Sequence, residues 1–248
     1  MRDLVSTLAI AGVAVSAHAE DTKLGWSGEG SASAGFNTGN TETLDAGLSF
    51  DVSRHWSKWL LNLEGSADYS ETDDTATRER YFGAFQLDRE ANERFYYFVR
   101  SSYEVDEFSG FDSRVFAGAG VGFAIFKNDQ TNWKIDGGPG YRIDNVADVV
   151  DEFGVVVEPG GPERSISARG ASLFSHAFNE NVEFTNNSNV TWAEETTQLT
   201  NTIALTSQLV GGLSGRVSFN VRHDTNPPAG FESTDTATRV SLVYTFGE

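Results

Sequence analysis

The feature that most constrains this chain is an alternation of apolar and polar residues with a period of two, carried over unusually long segments. From Trp59 to Tyr69 the odd positions are Trp59, Leu61, Leu63, Gly65, Ala67 and Tyr69, while the even positions Asn62, Glu64, Ser66 and Asp68 are polar. Leu44 to Val52, Phe95 to Val105, Val115 to Ile125, Val182 to Trp192 and Val240 to Phe246 repeat the pattern. Such alternation puts one face of an extended chain against apolar surroundings and the other against polar ones, so it predicts strands and not helices. Twelve segments are expected, near 24–36, 43–54, 59–71, 76–88, 94–106, 113–126, 132–144, 164–176, 181–193, 197–209, 213–223 and 236–247. Strands of soluble proteins usually run about five or six residues. A tilted strand that crosses a bilayer needs about 9–11. The segment lengths therefore predict an all-β transmembrane antiparallel up-and-down β-barrel of about 12 strands. A soluble β-sandwich is the competing fold.

The connections sort by length. With both termini on one side, the turns near 55–58, 89–93, 127–131, 177–180 and 210–212 share that side and are short. The three longest connections, 107–112, 145–163 and 224–235, fall on the other side. Short inner turns and longer outer loops are the habit of outer-membrane barrels. Aromatic residues such as Trp26, Trp56, Trp59, Tyr69, Tyr81, Tyr97, Tyr103, Trp133, Tyr141 and Trp192 gather near segment ends, where two interfacial girdles are expected.

The first nineteen residues read as an export signal. Leu4 to Val15 is an apolar stretch, and Ala17-His18-Ala19 is an A-x-A cleavage pattern, so the mature domain is expected to span 20–248. The charges of Arg2 and Asp3 cancel, which leaves a weakly basic start. A net charge of −18 argues against nucleic acid as partner, because phosphate binding needs clustered cations. The chain has no cysteine, which removes disulfides, thiol catalysis and Cys-ligated zinc. Expected partners are outer-membrane lipid and lipopolysaccharide, with the barrel-assembly machinery during insertion. The Val240-Leu242-Tyr244-Phe246 alternation resembles a terminal insertion signal, displaced by Gly247-Glu248.

Parity directs charge inward. It places Arg78, Arg80, Arg100, Arg114, Arg142, Arg169, Arg216, Arg222 and Arg239 in the lumen, with Asp45, Asp51, Glu64, Asp68, Glu104, Asp136 and Glu183. An Arg or Lys on the lipid face costs about 2–4 kcal/mol at the midplane, so inward placement is the physical expectation. Nine arginines against seven carboxylates predict an interior near balance or slightly positive. Two readings follow: a network of forked ion pairs that holds a narrow interior shut, or an arginine-lined, anion-attracting pore. The inward Gly118, Gly120 and Gly122 leave room into which loop 145–163 is able to fold. The remaining acids Asp73-Asp74, Asp106-Glu107, Asp112, Asp148, Asp151-Glu152 and Glu158 are assigned to outer loops, as a solvated rim.

Some residues resist the scheme. Pro139 lies inside a strand, which predicts a bulge near Gly137-Gly138-Pro139-Gly140. Asn186, Asn201 and Glu79 fall on the lipid face. No enzyme, cofactor or metal is expected. The mature histidines His55, His176 and His223 sit near segment ends, and Gly-x-Ser-x-Gly, His-Glu-x-x-His and a phosphate loop are absent. A phospholipase-like barrel is the third-ranked reading. A passive small-solute channel or envelope-integrity protein ranks first, and a purely structural or adhesive barrel acting through acidic outer loops second.

Several short motifs carry a resemblance. They are Gly39-Asn40-Thr41 within Asn37–Thr43, Tyr103-Glu104-Val105-Asp106-Glu107-Phe108-Ser109-Gly110 with Arg114, Gly118-Ala119-Gly120-Val121-Gly122-Phe123, and Gly138-Pro139-Gly140-Tyr141-Arg142. In their order and spacing over 24–246 they resemble the YdiY-like salt-induced outer-membrane protein family, catalogued as domain of unknown function 481. The resemblance implies an outer-membrane barrel and no particular substrate.

Overall fold

The computed structural model describes residues 25–37, 42–150, 153, 155–228 and 230–247. The expectations placed on residues 1–19, 38–41 and 151–152 and on Glu248 lie outside them. The long alternating segments form twelve strands: β1 (Gly25–Asn37), β2 (Thr43–Trp56), β3 (Trp59–Thr72), β4 (Thr75–Glu90), β5 (Phe95–Asp106), β6 (Phe111–Lys127), β7 (Thr131–Val146), β10 (Gly161–Asn179), β11 (Val182–Ala193), β12 (Gln198–Val210), β13 (Leu213–Asp224) and β14 (Thr234–Phe246). Two short strands, β8 (Val149–Val150) and β9 (Val156–Glu158), make a hairpin between β7 and β10. The twelve long strands close into one antiparallel barrel, each beside its neighbour in sequence. Closure runs from Gly28↔Phe246 to Ala32↔Leu242 between β1 and β14. A ring of sequential antiparallel strands closes antiparallel only when the strand number is even, and twelve satisfies this.

The wall inverts the arrangement of a soluble protein. On β14, Val240, Leu242 and Tyr244 are 60, 56 and 60% exposed, while Arg239 and Ser241 between them are 3 and 6% exposed. Leu48, Phe50, Tyr81, Tyr97, Val99 and Tyr103 face outward, while Asp45, Asp51, Asp68, Arg114, Arg142 and Arg216 are buried inside. An apolar exterior over a charged interior is stable where the exterior meets hydrocarbon. Trp56, Trp59, Tyr97, Trp133 and Phe184 form an aromatic band at the end that carries Gly25 and Phe246, hereafter the terminal end. Tyr69, Tyr81, Tyr103, Tyr141 and Trp192 form another at the loop end.

Strands run beyond the alternating segments at the loop end. β10 begins at Gly161 and pairs with Val146 of β7, where Pro162, Glu163 and Arg164 are exposed. Where both faces meet water, the pairing continues but the alternation fades. The β3–β4 connection takes only Asp73 and Asp74, at φ 48° and 59°, a two-residue turn whose twist matches the strands it joins.

Three expectations change. No bulge forms at Pro139: the β6–β7 register runs unshifted from Gly118↔Gly140 to Val121↔Gly137, and pairing lapses only at the residues between them. Pro139 keeps its place opposite Ala168 on β10. The described residues of the β7–β10 loop do not fill the barrel: Phe153, Val155 and Val157 are 81, 58 and 60% exposed. The room beside the β6 glycines is taken by buried rings instead. A Cβ on Gly122 would lie 2.1 Å from the Tyr96 ring, and one on Gly120 would lie 2.2 Å from the Gly137 carbonyl oxygen. Finally, Asn186 and Asn201 need no register slip. Asn201 donates to Ser188 Oγ at 2.7 Å and to Asn186 Oδ1 at 3.3 Å, so the outward polar groups satisfy one another. Glu79 accepts from the Tyr81 hydroxyl at 3.1 Å at the loop end.

Candidate functional site in the barrel interior

The inward positions of successive strands bring charged side chains into contact across the lumen. Near the middle, Glu29 on β1 lies opposite Asp51 on β2, which lies opposite Glu64 on β3. Three carboxylates in a cross-strand row repel one another, and two forked arginines flank the row. Arg216 donates to Glu29 Oε1 and Oε2 at 2.6 and 2.8 Å. Arg100 donates to Glu64 Oε1 and Oε2 at 2.7 and 3.0 Å. Asp51, the central member, is buried, and its Oδ2 has no hydrogen-bond partner among the described residues. Nearby, Arg169 donates to Asp136 at 2.7 Å and to Asn189 at 2.5 Å, and the Tyr96 hydroxyl reaches Asp136 at 3.4 Å.

Toward the loop end a second tier spans the barrel. Glu104 on β5 accepts from Arg80 at 2.8 Å and from Arg222 at 2.7 Å. Arg222 also donates to Asp106 at 3.0 Å and lies 3.5 Å from Asp224. Since β13 and β5 stand six places apart in a ring of twelve, Arg222 reaches the opposite wall. Arg114 on β6 bonds Asp224 at 3.1 Å and stacks on the Phe111 ring, with Cζ 3.5 Å from its centroid. Arg142 bonds Asp144 at 2.8 Å, and Arg239 bonds Asp68.

An interior cavity of about 490 Å³ lies among these groups. Of the residues expected in the lumen, Arg78, Arg80, Arg100, Arg169, Arg222, Glu64, Glu104 and Asp136 line it. Arg114, Arg142, Arg239 and Asp68 are buried in the interior but taken up by ion pairs outside that cavity. Eight arginines reach carboxylates in this way among the described residues.

Six interior carboxylates do not follow from the alternation as read: Glu29, Asp88, Asp106, Asp144, Asp224 and Asp235. Asp106 was assigned to an outer loop, yet it is the last residue of β5 and meets Arg222. On the cavity wall itself seven cations, five of them arginines with Lys127 and Lys134, face six carboxylates, so the wall is near charge balance. Strand parity already carried the missed signal at Asp88 and Asp144, which share parity with Arg80 and Arg142. Two histidines are otherwise engaged: His176 and His223 each share a 2.8 Å hydrogen bond with a threonine, Thr131 and Thr234, while His55 lies 3.9 Å from Glu90.

Solved structures of similar architecture are outer-membrane barrels. The translocator domain of the autotransporter NalP from Neisseria meningitidis aligns over 89% of this chain and 88% of its own, at 9% identity and a TM-score of 0.54. The COG4313 outer membrane channel from Pseudomonas putida F1 aligns over 92% and 98%, at 8% identity and a TM-score of 0.52. The NanC porin aligns over 89% and 100%, at 12% identity and a TM-score of 0.50. At these identities the likeness is one of fold. No curated protein matches the sequence. The profile described as "Protein of unknown function, DUF481" matches residues 30–246, and the chain belongs to that family.

Proposed function

We propose that this protein resides in a Gram-negative outer membrane as a passive channel for small solutes, narrowed at the loop end by the ion pairs that cross the lumen. The observation that carries this reading is the interior cavity, lined by charge inside an apolar barrel. Its export signal and the terminal aromatic alternation would hand it to the barrel-assembly machinery, with lipid and lipopolysaccharide around the finished wall. A second reading, a purely structural barrel, is favoured by the Arg222 bridge from β13 to β5. Planar-bilayer recording on the purified protein separates the two. Discrete current steps support the channel, and a silent bilayer supports the structural barrel.

A further inference from the structure

Two outward-facing arginines at the terminal end differ from those inside. Arg54 on β2 lies with its guanidinium carbon 5.3 Å from the Trp26 ring centroid and 5.8 Å from that of Trp56. Arg89 on β4 lies 5.4 Å from the centroid of Trp59. The register places these groups side by side on the outer wall: Trp26 opposite Arg54, Trp56 opposite Trp59, and Trp59 opposite Arg89. Both arginines are exposed, and neither is in an ion pair with a carboxylate among the described residues. Stacking occupies a guanidinium's faces and leaves its in-plane N–H donors directed outward.

The same strands sort outward charge by sign. At the terminal end lie Arg54 and Arg89, with Lys58 exposed in the turn between β2 and β3. At the loop end the outward acids Glu71 and Glu79 accept from the hydroxyls of Tyr69 and Tyr81 at 2.8 and 3.1 Å. Toward the midplane from the arginines, the outward positions turn apolar. Leu61 stands opposite Arg54 and Leu87, and Val52 opposite Leu63. A ligand suited to this surface is amphipathic, with an anionic phosphate at the rim and hydrocarbon below it.

We propose that this rim, from Trp26 to Arg89, binds the phosphate of a glycerophospholipid headgroup, with the acyl chains lying on Val52, Leu61 and Leu87. The site rests on the membrane residence proposed above. It is distinct from the lumen and fixes the depth and tilt of the barrel in one leaflet. An arginine fork matches phosphate geometry, and indole rings favour the headgroup level.

The test is native mass spectrometry of detergent-purified protein titrated with phosphatidylglycerol, comparing wild type with an Arg54→Gln/Arg89→Gln double variant. Heat-modifiable gel migration checks that both are folded, which the exposed position of these side chains predicts. Wild type should retain phosphatidylglycerol, and the double variant should bind it about tenfold more weakly. Inorganic phosphate at matched concentration should not displace the lipid. A folded double variant that retains the lipid as well as wild type overturns the site alone. Displacement by inorganic phosphate overturns the lipid assignment. A barrel that stays in solution without detergent overturns the membrane reading and the site with it.

Discussion

Arg222 on β13 donates from Nη2 to Glu104 Oε1 on β5 at 2.7 Å, from one wall of the barrel to the opposite one. Glu104 takes a second donor from Arg80, and Arg222 a second acceptor in Asp106. The bond therefore serves two purposes that are separable by experiment. It neutralises charge removed from water, and it narrows the passage at the loop end.

The mid-barrel row gives the clearest stability prediction. Arg216→Ala leaves Glu29 buried beside Asp51 and Glu64 with its fork removed. Breaking a buried pair from one side costs about 3–5 kcal/mol. Urea unfolding of the folded barrel in detergent should show that loss, and Arg216→Ala/Glu29→Gln should recover part of it. A single variant as stable as wild type would mean the pair is solvated.

The face assignment predicts unequal effects on neighbouring positions. Leu63 faces outward between Val52 and Phe85, whereas Ser66 lines the cavity. Leu63→Arg should cost about 2–4 kcal/mol and lower the folded fraction in membranes. Ser66→Arg should leave assembly intact. Equal folded yields would reverse the assignment of this strand.

The glycines offer a paired test of packing. Gly120→Ala puts a methyl group 2.2 Å from the Gly137 carbonyl oxygen, so backbone must shift, at about 1–3 kcal/mol. Gly83→Ala meets nothing within 4 Å and has no left-handed φ, so it should stabilise by about 0.4–1 kcal/mol through the unfolded chain. Unfolding midpoints should move in opposite directions; shifts of the same sign would rule out this packing at β6.

Much of this architecture was legible because alternation is a local property. The inward parity of Arg100 or Glu64 follows from its immediate neighbours. Of the six missed carboxylates, Asp88 and Asp144 did carry that parity, while the others lacked the signal or lay at a strand end. Glu29 sits between Gly28 and Gly30, where small residues blur the apolar face. Asp106 and Asp224 are the last residues of β5 and β13, where alternation fades although pairing persists. The partner of Arg222 was out of reach for a different reason. A bond between strands six places apart depends on barrel closure and shear, and neither is written into any one segment. The filling of the glycine strip by Tyr96 likewise depends on which strand β6 has beside it.

Single-channel recording in planar bilayers, on wild type and on Glu104→Gln/Arg222→Gln, tests the central claim most directly. Wild type should give small, discrete steps. The double variant, freed of the bond across the lumen, should give steps of larger unit conductance with the heat-modifiable fold retained. Silence from both folded proteins would contradict the channel and leave a closed structural barrel.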